Sequence, residues 1–180
     1  MEFVILGLLM IRNLTQYDIR NALQQKVSPF FSASLGSIQA ALKKLEGNSH
    51  VELNEVVENG RRKKIYTINK LGKQYFLDWM LSSIAPNRLE QDATTRLFFL
   101  GHMTIADRHA IVEEIITGLE TTVLEFQSAS LDANLKEVPE HLKHVVKYQI
   151  KTLELGLFYH QSMLGWFQNL LLELEERPYE

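Results

Sequence analysis

A mainly α-helical chain with one short β-hairpin is what the sequence predicts, and three observations predict it. Apolar residues recur at intervals of three and four over most of the chain, the period shortens to two only around Asn59-Gly60, and an apolar seam runs from Leu142 to Leu174. The 180 residues are 46% hydrophobic and 23% charged, a balance that buries a core and argues against disorder. Cysteine is absent, which excludes disulfides, thiolate zinc sites and cysteine nucleophiles.

Phe3, Val4, Leu6, Leu8, Leu9 and Ile11 make a first helix that is apolar nearly all round, the signature of a helix buried on most sides. Thr15 followed by Asp18 has capping-box spacing, and Ile19, Ala22 and Leu23 form the inner face of the second helix, which ends near Lys26 because Pro29 disfavours helix at Ser28. Ser34 caps a third helix whose buried stripe is Ile38, Leu42 and Leu45. At 100° per residue the opposite face holds Gly36, Ala40 and Lys43, flanked by Ser37, Gln39 and Lys44. That face is small, polar and basic, suited to close approach, hydrogen bonding and phosphate contact. An ordinary solvated face has the same composition.

After Gly47 the pattern becomes extended. Val51, Leu53 and Val57 share one side of a strand, Asn59-Gly60 is a type I′ turn dipeptide, and Lys63 to Asn69 returns as the second strand. Between turn and strand sit Arg61, Arg62, Lys63 and Lys64, four consecutive cations on a narrow ribbon. They suit a nucleic-acid backbone, although charge also protects an edge strand from aggregation. Leu71 to Met80 is a fourth helix anchored by Tyr75, Phe76 and Trp79. Three helices, a hairpin and a helix are the order of a winged helix-turn-helix.

Charge is divided to match. Residues 1 to 81 hold eleven basic and seven acidic side chains, a balance of +4, which leaves -7 on the remainder of a chain whose net charge is -3. Only the first part attracts a polyanion.

ILGLL at Ile5 to Leu9, TQYDI at Thr15 to Ile19, LGSIQAALKKLE at Leu35 to Glu46 and NGRRKKIYTINKLGKQYF at Asn59 to Phe76 occur in the order and spacing of a known group. Over most of residues 4 to 76 the sequence resembles the PadR family of bacterial transcription regulators. The resemblance implies that Leu35 to Leu45 is the recognition helix and Asn59 to Lys64 the wing. It also implies a homodimer on a pseudo-palindromic operator, repressing transcription until an effector weakens binding. The sequence departs from the family pattern at Gln39-Ala40, where a tyrosine-proline pair is common, at Ser49-His50, where a glycine usually precedes the first wing strand, and at Asn69, where threonine often opens the fourth helix.

Pro86 and Asn87 mark a junction, followed by a helix from Leu89 to His102 in which TRLFFLG at Thr95 to Gly101 resembles the start of the helical C-terminal domain in longer PadR members. Thr104 with Asp107 repeats the capping spacing and opens a helix towards Ser130 through Ile111, Ile115, Leu119 and Phe126. Beyond Pro139, Leu142, Val146, Ile150, Leu153, Leu157, Leu164, Phe167, Leu171 and Leu174 form the seam. Phe158, Tyr159, Met163, Trp166 and Leu170 lie elsewhere on the same circumference, more apolar surface than a lone helix leaves in water. Dimerisation through this region would set two recognition helices at a fixed spacing.

Catalytic chemistry finds little support. His141 and His144 stand a turn apart near Glu137 and Glu140, but two imidazoles with unplaced carboxylates define no metal geometry. No Gly-rich phosphate loop, HExxH or GxSxG occurs. Trp79, Phe98, Phe99, Phe158, Trp166 and Phe167 are candidates to line a pocket for a small aromatic or hydrophobic effector. The run from Phe3 follows Glu2 and stops at Arg12, unlike a secretory leader, and Leu155 to Leu172 contains His160, Gln161, Ser162, Gln168 and Asn169, unlike a membrane span.

The expectation is therefore a cytoplasmic, non-enzymatic regulator without cofactor, metal or membrane association. A winged helix at residues 1–83 would bind double-stranded DNA, and a helical domain at residues 84–180 would form the homodimer. Ser34, Ser37 and Gln39 are the candidates for groove contacts, and Lys43, Lys44, Arg61, Arg62, Lys63 and Lys64 for phosphates. A helical adaptor whose winged domain binds another protein is the alternative.

Overall fold

The structure is a computed structural model that describes residues 1–24, 34–58, 61–135 and 137–176. The chain divides into two units, the first made of Met1–Ser82 with Glu90–Met103, the second of Ser83–Leu89 with the residues from Thr104 onward. The expected helix end near Lys26 and the Asn59-Gly60 turn lie outside the described residues.

The first unit is built around α1 (Glu2–Ile11), whose Val4, Ile5, Leu6, Leu8 and Leu9 are all buried, as an all-round apolar helix requires. Its Gly7 faces the ring of Phe99 so closely that a Cβ there would stand 2.5 Å from the ring carbons. Around it follow β1 (Leu14–Thr15), α2 (Gln16–Gln24), α3 (Leu35–Gly47), β2 (Val51–Glu58), β3 (Arg61–Ile68) and α4 (Lys70–Leu81). The capping box forms as its spacing predicts: Thr15 Oγ1 accepts the Asp18 N–H at 3.1 Å, and Asp18 Oδ2 accepts the Thr15 N–H at 3.0 Å. Asn69 caps α4, its Oδ1 accepting the Gly72 N–H at 2.9 Å.

The sheet is antiparallel throughout, in the order β1-β3-β2. The two-stranded wing expected from periodicity is thus extended by β1, with Leu14 opposite Tyr66 and Thr15 opposite Ile65. Two residues carry no detectable alternation, so this strand has no signal of its own in the sequence.

A column of rings ties the unit together. His50 stacks on Tyr75 at 4.3 Å, Tyr75 meets Phe3 at 5.0 Å, Phe3 stacks on Trp79 at 4.4 Å, and the Arg96 guanidinium lies 5.1 Å above the Trp79 ring. Arg96 belongs to α5 (Leu89–Phe99), is 1% exposed, and donates to the Ser82 carbonyl at 2.7 Å and the Ser82 hydroxyl at 3.2 Å. Burial of a guanidinium demands this stacking and hydrogen bonding together.

In the second unit, α6 (Ile105–Leu135) and α7 (Lys143–Glu176) pack on one another as a helical hairpin. Thr104 opens α6 as its spacing predicts, accepting the Asp107 N–H at 3.2 Å. The inner stripe of α6 is Ile111, Val112, Ile115, Ile116, Leu119 and Val123. On α7 only His160 and Phe167 are fully buried, and His160 stacks on Phe126 while its Nδ1 lies 2.8 Å from the Gly156 carbonyl. Among the described residues no helix is long and apolar enough to cross a membrane.

Candidate nucleic-acid interface

The polar face of α3 is created by its inner stripe. Ile38, Ala41, Leu42 and Leu45 face the core, which leaves Gly36, Gln39, Ala40 and Lys43 exposed on the outer side. Ser34 and Ser37 have a different first duty. Ser34 is the N-cap, its Oγ accepting the Ser37 N–H at 3.1 Å, and the Ser37 hydroxyl donates to the Ser34 carbonyl at 2.8 Å. Both hydroxyls are thereby oriented at the start of α3, Ser34 keeping its O–H donor and one lone pair for a ligand and Ser37 keeping two lone pairs.

Lys44 has a partner on another helix. Its Nζ donates to Glu2 Oε1 at 2.8 Å, pinning α3 to α1. The Glu2 hydrogen bond, reinforced by its charge, holds the ammonium above the usual lysine value. Lys43, one position earlier, points outward.

Strand register divides the wing cations. Arg62 opposite Val57 and Lys64 opposite Glu55 share the face of Tyr66 and Ile68, whereas Lys63 opposite Val56 lies on the other face with Ile65 and Thr15. Four consecutive charges therefore do not make one positive plane. They make a ribbon charged on both faces, a shape that enters a groove between two backbones better than it lies flat on one. Lys64 approaches Glu55 at 3.8 Å with both side chains more than half exposed, a weak pair that a phosphate can displace. Arg61 continues β3 opposite Glu58.

Lys63 also marks a part of the surface that sequence reasoning missed. Asp18 sits below its ordinary carboxylate value, first because the Thr15 hydroxyl donates to it at 2.6 Å, then because of the Thr15 N–H, with Arg12 and Lys63 adding their charge against the opposing effect of burial. The start of α2, with exposed Arg12, Tyr17 and Arg20, thus adjoins the Lys63 face of the wing. The usable sequence signal was the outward pair Tyr17 and Arg20, three positions apart beside Ile19.

The aromatic candidates for an effector pocket are distributed rather than gathered. Trp79, Phe98 and Phe99 belong to the first unit, and Phe158, Trp166 and Phe167 to the second. A cavity of about 530 Å³ does exist in the second unit, but its walls are aliphatic and polar, including Ala129, Ala133, Val138, Leu142, Val146 and Ile150. His141 and His144 are exposed, and among the described residues no three His, Asp or Glu side chains are arranged to hold a metal ion.

The sequence model of the Transcriptional regulator PadR-like family matches residues 5–78. A negative transcriptional regulator, PadR, from Bacillus subtilis strain 168 is 28% identical over 178 residues, covering 98% of each chain. Among solved structures, Bacillus subtilis PadR in complex with operator DNA aligns at 20% identity over 96% of this chain and 98% of its own, with a TM-score of 0.45. The smu.1604c protein from Streptococcus mutans UA159 aligns at 25% identity over 95% and 98%, also with a TM-score of 0.45.

Proposed function

We propose that this chain, whose residues 5–78 match the model of the PadR-like family of transcriptional regulators, is a sequence-specific repressor acting as a homodimer on a pseudo-palindromic operator. One observation carries the reading: α3 turns the exposed side chains of Gln39, Ala40 and Lys43, beside the bare backbone of Gly36, outward in the same unit as a cationic two-faced ribbon. In this mechanism Gln39 reads base edges, the Ser34 and Ser37 hydroxyls contact nearby backbone, and Lys43, Arg61, Arg62, Lys63 and Lys64 neutralise phosphates. Lys44 serves first as the tether to Glu2 and contributes its charge from there. Gene control follows from occupancy, with no catalytic step.

Dimerisation has its support in the second unit. Both helices of the hairpin carry apolar side chains on the side away from their mutual packing: Leu124, Leu131 and Leu135 on α6, and Val145, Tyr148, Leu155, Phe158 and Trp166 on α7, all more than half exposed. The similarity to a negative regulator extends over this unit as well. A small hydrophobic effector would find ligand-sized space in the cavity at the α6–α7 end of the hairpin. It would act by binding two conformations of the dimer unequally.

The test is selection of bound fragments from a random DNA pool, followed by titration of the selected duplex at two salt concentrations. The reading expects an inverted repeat, two protomers per duplex, and affinity that falls steeply with salt. A protein that retains no fragment in dilute buffer refutes it.

A further inference from the structure

The ion pairs of Lys64 and Lys44 are built differently. Lys64 meets Glu55 at 3.8 Å with both side chains more than half exposed, so either one turns away freely. Lys44 Nζ stands 2.8 Å from Glu2 Oε1, and there the carboxylate side chain is only 20% exposed. Its second oxygen, Oε2, is buried and among the described residues accepts no hydrogen bond. A carboxylate so poorly solvated depends on its cation. Glu2 is also fixed from behind. It sits in the first turn of α1, the positive end of that helix, and the next residue, Phe3, is held by the rings of Tyr75 and Trp79 at 5.0 and 4.4 Å.

This tether stands at the edge of the surface proposed to meet DNA. Ser37, Ala40 and Lys44 follow one another at spacings of three and four along one flank of α3, and Ala40 and Lys44 are exposed. The Lys44 side chain is 62% exposed, so a phosphate alongside this flank can reach the ammonium from solvent. It would compete with Glu2 for the same donors, beside a carboxylate that repels it.

We infer that Glu2 limits the sequence-independent affinity of this protein for DNA by holding the Lys44 ammonium off the phosphates. The inference rests on the DNA-binding reading above and assigns Glu2 a part in it: Lys44 acts from a distance and makes no phosphate contact while Glu2 is charged. Each phosphate that a lysine neutralises releases counterions and strengthens binding to every sequence alike. Withholding one such contact weakens the hold on non-operator DNA, and leaves the base contacts of α3 untouched. Glu2 is thus a positioning residue that works against affinity.

The test is a double-mutant cycle on the full chain, titrated with a random-sequence duplex at several salt concentrations. Glu2→Gln keeps the shape and removes the charge, and should raise affinity severalfold at low salt and steepen the salt slope by about one. Lys44→Gln should change the slope little in the wild-type chain and by about one in the Glu2→Gln chain, where alone the ammonium meets a phosphate. A Glu2 that acts only as diffuse negative charge would make the two substitutions additive. Because Lys44→Gln strands the Glu2 carboxylate and can unfold the chain, a second measurement uses no lysine variant. Acetylation of lysines with and without duplex, read by mass spectrometry, should show DNA protecting Lys43 but not Lys44 in the wild type, and both in Glu2→Gln. Additive slopes, protection of Lys44 in the wild type, or no gain of protection in Glu2→Gln overturns the inference. A wild-type protein that binds no duplex, or whose Lys43 is unprotected, overturns the DNA-binding reading instead.

Discussion

Gly72→Ala should cripple the joint between α3, the wing and α4. A Cβ at position 72 would lie 2.0 Å from the His50 carbonyl oxygen, 2.9 Å from the carbonyl carbon and 2.9 Å from Ile68 Cγ1. Ordinary contact starts near 3.4 Å, so the His50 carbonyl would have to retreat by more than an ångström. It is held in place from several sides: it accepts the Asn69 N–H at 3.3 Å, the His50 N–H donates to the Leu45 carbonyl at 2.9 Å, and the ring stacks on Tyr75. Overpacking of this kind costs about 1–3 kcal/mol, and a lost hydrogen bond adds about 1 kcal/mol. The better helix propensity of alanine returns about 1 kcal/mol. The net loss is about 2 kcal/mol, equivalent to a fall of roughly 10 °C in the melting of a unit of this size. Differential scanning calorimetry reads the transition directly. Gly47→Ala is the control, because nothing lies within 4 Å of a Cβ there, and it should melt at or above the wild-type temperature. A Gly72→Ala protein that melts with the wild type would refute the argument that backbone contact at this joint requires glycine.

Three further outcomes test the site. Lys64→Ala should reduce the salt-dependence slope of DNA binding by about one and weaken different sequences equally, and an unchanged slope removes it from the phosphate contacts. Gln39→Ala should change the ranking of operator variants, whereas a uniform loss would reassign Gln39 to positioning. Asp18 has a folded pKa below its ordinary 3.8, so its contribution to stability is present in full above that value and disappears as the pH falls through the lower folded value. Urea midpoints measured downward from pH 6 should therefore drop less steeply for Asp18→Asn than for wild type, and identical acid limbs would contradict the capping-box account.

Elements governed by neighbours in sequence were legible. Thr15 and Asp18, Ser34 and Ser37, and Thr104 and Asp107 form their hydrogen bonds within three residues, and the inner stripe of α3 is the one its spacing indicates. The candidate site was legible to the same depth. Gln39 and Lys43 could be assigned to an outer face, but the division of Arg62 and Lys64 from Lys63 needs the register with β2, and the capture of Lys44 by Glu2 joins positions 42 residues apart.

By itself the sequence determined the number and order of the main helices, the hairpin, the caps, and the concentration of positive charge in the first 81 residues, because these depend on periodicity and on groups a turn or less apart. Tertiary structure alone decided that Leu14 and Thr15 form a third strand, that Arg96 is buried against Trp79 rather than solvated, and that the aromatic candidates are divided between two units. Each of those outcomes is a contact between distant segments, whose energy depends on how the chain closes in space and leaves no mark on the spacing of residues along it.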